Sequence, residues 1–106
     1  MMDNKFRVTW ERTALRNLGK FFNIDYEKVY FRTKLLLSHN PYELAEGVAD
    51  YPGFEFNGYF WTLINNVIIV YRILKEKEQV LVEACYYANT EISHQIFWGI
   101  NPEEER

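Results

Sequence analysis

The sequence has little cysteine, proline or histidine, and each scarcity removes a class of protein. A lone Cys85 among 106 residues cannot close an internal disulfide, so the chain must hold together by packing alone. His39 and His94 have no companion ligands at useful spacing, which leaves metal binding without support. The longest apolar runs are broken at Asn65 and Asn66 and fall short of the roughly 18–20 residues that cross a bilayer. The start, MMDNKF, lacks the apolar core of a secretory signal, so the expected location is the cytoplasm, with no membrane partner. There is also no basic surplus. The formal charge is −3, and residues 1–102 carry eleven basic against twelve acidic side chains, where a protein that neutralises several phosphates usually shows an excess of Lys and Arg.

What the chain has in abundance is apolar and aromatic mass. Nearly half the residues are apolar, with eight Tyr, eight Phe and three Trp, which is enough for one core at this length and too little for two. No repeat, linker or low-complexity block divides it. The expectation is a single domain over residues 1–100 and an acidic tail, 101–106, containing Glu103, Glu104 and Glu105.

Lys5 to Trp10 alternates strictly between apolar and polar, the signature of a half-buried strand. From Glu11 to Phe22 the period changes, and Leu15, Leu18 and Phe22 predict a helix with Arg12, Arg16 and Lys20 outside. Asp25 is placed to cap a second helix with an inward stripe of Tyr26, Val29, Tyr30, Thr33, Leu36 and Leu37, ending near Ser38. Phe31 and Leu35 lie off that stripe and suggest a second apolar contact, to the domain or to a partner. Asn40-Pro41-Tyr42-Glu43 reads as the start of a short helix ending at Gly47, and Tyr51-Pro52-Gly53 as a turn.

The stretch from Gly58 to Tyr87 predicts three strands. Tyr59–Ile64 and Val67–Leu74 are joined at Asn65-Asn66, where Asn tolerates positive φ. Val67 to Tyr71 shows no polar alternation, as expected of a central strand covered on both faces. Lys75 to Glu78 is a solvated turn, and Val80–Tyr87 is the third strand. Thr90 then caps a final helix through Ile92 and Ile96, ending near Gly99. The fold class is α+β: an N-terminal strand, a helical hairpin, a three-stranded antiparallel meander and a short C-terminal helix, with the helices on one face of the sheet.

This order, with the strings Val8-Thr9-Trp10, Ala14-Leu15-Arg16-Asn17-Leu18, Leu37 through Asn40-Pro41, Val70-Tyr71-Arg72-Ile73 and Val80-Leu81-Val82, resembles the RelE/ParE superfamily of bacterial toxins. The resemblance runs from about Phe6 to Glu91. It implies a toxin partnered by a cognate antitoxin that wraps the domain, with no cofactor. The target it implies is either the ribosome with its messenger RNA, cleaved without a metal, or another protein such as gyrase. The cleavage chemistry uses a base, cations around the phosphate and an acid for the leaving oxygen. Carried over by position, the family's basic and acid–base residues fall here near Tyr59, Trp61, Thr62, Ile68, Tyr86, Ala88 and Asn89, none of them cationic, while Cys85 and Tyr87 match some members.

The candidates for a remaining site are Arg72, Tyr87 and His94. Arg72 shares a strand face with Ile68 and Val70, and is either that face's last cation or a strand-end Arg reaching to water. His94 is either an acid–base group or a surface residue of the last helix. Tyr86 and Tyr87 point to opposite sides of their strand, so at most one faces a site, and packing is the alternative for both. Glu83 either faces solvent or pairs with Arg72 or Arg7. Cys85 reads as a small buried apolar residue. Tyr59, Phe60 and Trp61 lack neighbouring cations and read as core or protein-binding surface rather than a base-stacking platform.

Overall fold

The computed structural model describes residues 5–100. In chain order the elements are β1 (Arg7–Trp10), α1 (Arg12–Leu18), α2 (Tyr26–His39), β2 (Gly47–Val48), β3 (Phe60–Ile64), β4 (Val67–Leu74), β5 (Gln79–Tyr87) and α3 (Glu91–Trp98), with one 3-10 turn at Lys75–Lys77. The predicted tail, 101–106, lies outside the described residues.

β4 organises the rest. Val67 through Tyr71 are completely buried, and a strand apolar on both sides must be covered on both. Its neighbours supply the ladder: β3 and β5 pair with it antiparallel, forming the predicted meander. Two short strands extend this to five, in the order β1-β5-β4-β3-β2, with β1 parallel to β5. The β3–β4 turn works as the sequence suggests, with Asn65 and Asn66 at φ of 50° and 66°, the two positive values a tight two-residue hairpin requires.

Alternation along β4 divides the interior. Val67, Ile69 and Tyr71 point to a core completed by Val8, Trp10, Ala14, Leu18, Val29 and Leu37, so α1 and α2 lie on that side. Ile68 and Val70 point the other way, to Trp61, Ala84, Ala88 and Phe97. Helices thus occupy both faces rather than one, because α3 folds under the second. α3 is delimited as predicted: the Thr90 hydroxyl accepts from the Ser93 N–H at 3.1 Å, and Gly99 ends it at φ 66°. Asp25 likewise caps α2, its carboxylate accepting from the Lys28 N–H at 3.2 Å.

Two local expectations differ. α1 is only seven residues long and buries Ala14 and Leu18, one turn apart. The Leu15–Leu18–Phe22 stripe therefore does not form: Leu15 lies at the edge and Phe22, beyond the helix end, is 84 % exposed. Nor does Asn40-Pro41 open a helix. One turn closes, with the Leu44 N–H donating to Asn40 at 3.0 Å, and the chain then enters β2. The Pro41 carbonyl, which a continuing helix would offer to residue 45, instead accepts from the buried Tyr71 hydroxyl at 2.7 Å.

That bond ties the α2–β2 connection to the central strand. Tyr71→Phe should keep the packing but leave the Pro41 carbonyl unpaired, lowering stability by about 1–2 kcal/mol in urea unfolding. An unchanged midpoint would show that the bond contributes nothing.

Candidate functional site

Trp61, Ile68, Tyr86 and Ala88, four of the positions carried over from the resemblance, lie on the second face of the sheet, and aromatic packing fills it. The Phe97 ring of α3 lies 5.2 Å from Trp61, 5.7 Å from Tyr86 and 5.6 Å from Phe54, centroid to centroid. Trp98 meets Trp61 edge-on at 5.3 Å. Such contacts add to the area that each ring buries. Gly47 makes room for the Trp61 indole, since a Cβ there would stand 3.1 Å from its ring nitrogen. The connection from Ala49 to Tyr59 closes the side. It is braced by Asn57, whose side chain accepts from the Tyr51 N–H at 2.8 Å and donates to the Tyr51 carbonyl at 2.7 Å. The Tyr51 hydroxyl then donates to Gln95 of α3 at 2.9 Å.

Burial raises one titratable group beside this packing, Tyr86, and two in the first core, Cys85 and Tyr71. Loss of solvent, then the negative charge of Glu55 and, once it forms, the Cys85 thiolate, push the Tyr86 phenol up to about 12. Burial pushes the Cys85 thiol up to about 12 and also raises Tyr71. Cys85 donates its S–H to the Ala14 carbonyl at 3.3 Å, as a small core residue would. At neutral pH none of the three is available as an anion.

The three residues singled out from the sequence do not converge. Arg72 lies on the α3 side of β4, and its Nε donates to the Glu83 carboxylate at 2.7 Å. A β-bulge makes this pair: Val82 faces Tyr71 and Ala84 faces Val70, so Glu83 is the extra residue between them. Tyr87 stands opposite Val67 and belongs to the α1–α2 side, where it packs against Phe21 at 6.2 Å. Five residues along β4 separate Arg72 from Val67, the partner of Tyr87, about 16 Å at strand rise. His94 sits half-buried on α3 with its ring 5.9 Å from Trp98. No hydrogen bond or ion pair joins any two of them among the described residues. No group of three or more His, Cys, Asp or Glu there could hold a metal.

No family model matches the chain, and no curated protein matches it in sequence. Solved structures do match. The toxin–antitoxin complex RelBE2 of Mycobacterium tuberculosis aligns at a TM-score of 0.62 with 22% identity, over 82% of this chain and 94% of that one. The intact RelBE toxin–antitoxin complex of E. coli aligns at 0.52 with 17% identity, over 81% and 99%. A mutant of E. coli RelE in the free state aligns at 0.53 with 13% identity, over 90% and 96%. The fold is that of the RelE toxins.

Within this RelE-like fold, the carried-over positions serve packing, apart from Asn89, which is exposed. Trp61, Ile68 and Ala88 are buried in the second core, and Tyr86 packs against it. Thr62 is buried on the other face and donates its hydroxyl to the Leu44 carbonyl at 2.8 Å. No helix among the described residues is long and apolar enough to cross a membrane. Signals for this sealing were present in Phe97 and Trp98, but periodicity in α3 says nothing about which face of a distant sheet the helix will meet.

Two predictions follow from the packing. Phe97→Ala should cost about 3 kcal/mol in chemical unfolding, as expected for loss of a large buried ring; a change below 1 kcal/mol would mean that α3 does not seal the face. The raised acids give an alkaline limit. An unfolded chain releases the Cys85 proton near 9 and the tyrosine protons near 10, while the folded chain holds those of Cys85 and Tyr86 to about 12. Their stabilisation is complete below pH 9 and declines as pH rises toward 12. Thermal midpoints should fall across this range, less steeply for Cys85→Ala and Tyr86→Phe; identical slopes for all three proteins would contradict the assignment.

Proposed function

We propose that this chain is the toxin-type member of a toxin–antitoxin pair, held by an antitoxin polypeptide, and that it acts by binding a protein rather than by cleaving messenger RNA on the ribosome. The observation that carries this reading is the apolar seal over the second face. Where a phosphate-cleaving site needs cations there are Trp61, Ile68 and Ala88, and the Arg72 charge beside them is engaged by Glu83. One transition-state donor contributes roughly 3–4 kcal/mol, or two to three powers of ten in rate, so a face without free cations falls far below its catalytic counterparts. The similarity of the fold to toxins solved in complex with their antitoxins supports the partner.

The competing reading, a metal-independent endoribonuclease using Arg72, Tyr87 and His94, gives opposite outcomes. The chain is induced alone and together with any short antitoxin-like reading frame found beside its gene, while growth and messenger-RNA 5′ ends are followed. We expect growth arrest relieved by the neighbour, no new ribosome-dependent 5′ ends, and undiminished arrest by the combined Arg72→Ala, Tyr87→Phe and His94→Ala variant. Site-specific cleavage abolished in that variant would establish the nuclease instead. No arrest in any strain would remove the toxin and leave an antitoxin-binding homologue.

A further inference from the structure

A covalent weak point lies in the connection that closes the second face. Asn57-Gly58 is the one Asn-Gly pair in the chain. Asn is a chemically labile residue, and a following Gly makes it most so, because no Cβ hinders the backbone nitrogen as it closes on the side-chain amide. Gly58 is held to glycine by its φ of 92°, a conformation that other residues rarely adopt. Both residues are exposed, so water reaches them.

The fold engages every group that the reaction needs. The Gly58 N–H, which must lose its proton before the nitrogen attacks, donates to the Ala49 carbonyl at 2.8 Å. The Asn57 amide, whose Cγ must swing toward that nitrogen, is held at both ends by the Tyr51 backbone. Its Oδ1 accepts from the Tyr51 N–H at 2.8 Å, and its Nδ2 donates to the Tyr51 carbonyl at 2.7 Å. Tyr51 is tied in turn to α3 through its hydroxyl, which donates to Gln95 at 2.9 Å. Ring closure therefore requires these bonds to break together, and the connection must open for that to happen.

We propose that Asn57-Gly58 is a deamidation site gated by the connection from Ala49 to Tyr59: protected while the second face is sealed, modified when the connection opens, and unable to reseal afterwards. In the first step the Gly58 nitrogen gives up its proton to solvent and bonds to Asn57 Cγ, while the Cγ–Nδ2 bond breaks and the amide nitrogen takes up a proton and leaves as ammonia. Water then opens the cyclic imide at either carbonyl, giving aspartate or isoaspartate. Nothing is oxidised or reduced, and water is the only co-reactant. Aspartate lacks the Nδ2 donor and sets a carboxylate, which only accepts, against the Tyr51 carbonyl. Isoaspartate also routes the main chain through the former side chain, and the added methylene moves Gly58 out of line with the Ala49 carbonyl. Either product adds a negative charge to a stretch that already holds Asp50 and Glu55. A chain that has once opened here is thus marked, with a weakened hold on α3. The inference rests on the packing of the second face and not on the protein-partner reading, so either can fail without the other.

The test follows deamidation by peptide mass mapping of the full-length protein at mildly alkaline pH, beside a synthetic peptide of residues 51–59 that sets the unprotected rate. Tyr51→Phe and Gln95→Ala, which release the connection from α3 from opposite sides, are followed in parallel, and circular dichroism checks that each keeps its fold. We expect conversion at Asn57 to be at least about tenfold slower in the parent than in the peptide, and at least about threefold faster in both variants than in the parent. Asn57→Asp, which reproduces one product, should let the Phe97 amide exchange through an opening that leaves Ile68 and Val70 protected, where the parent exchanges all three together. Conversion of the folded parent at the peptide's rate would overturn the gate, as would equal rates in the parent and both variants. Parental exchange at Phe97 in Asn57→Asp would overturn the failure to reseal.

Discussion

Everything in this molecule depends on a strand that is apolar on both sides. Val67 to Tyr71 cannot face water on either surface, so two separate layers must be found for it. One comes from α1 and α2, which precede the meander; the other comes from α3 and the aromatic connection before β3. The two cores share the meander, with β3, β4 and β5 each contributing to both. That division explains why a chain of this size carries so many rings, since each layer is thin and must be filled by large side chains rather than by depth.

The proposed function turns on the second layer. The sheet face away from α1 and α2 is used here for stability. Phe97 inserts between Trp61, Phe54 and Tyr86, Gly47 yields room for the indole, and Asn57 and Gln95 fix the surrounding chain. A cation placed at Ile68 would be buried without a partner at a cost of several kcal/mol. Sealing and phosphate chemistry are therefore alternatives on this face. Six of the twelve Lys and Arg instead lie in residues 12–34, on or between α1 and α2, on the opposite side of the sheet.

Much of the fold was legible because it is encoded locally. Asn65-Asn66, Asp25, Thr90 and the unbroken run of β4 each act through their immediate neighbours, and each appears where the sequence places it. What was not legible depends on distant partners. The two residues of β2 become a strand only because β3 offers an edge, and the Pro41 carbonyl, where the sequence suggests a helix start, is taken by Tyr71, thirty positions later. Phe22 looks like the third member of a helical stripe, yet α1 stops before reaching it. The pairing of Arg72 with Glu83 was one of several readings open to the sequence, and the bulge that selects it is a property of two strands together.

Native-state hydrogen exchange tests most directly whether the second face is core or site. If α3 is a structural layer, the amides of Ile96 and Phe97 exchange through the same global opening as those of Ile68 and Val70, with matching free energies and urea dependence. If α3 amides exchange through a separate, low-energy opening while β4 stays protected, the face is uncovered in solution. The account of a sealed, noncatalytic surface would then fail.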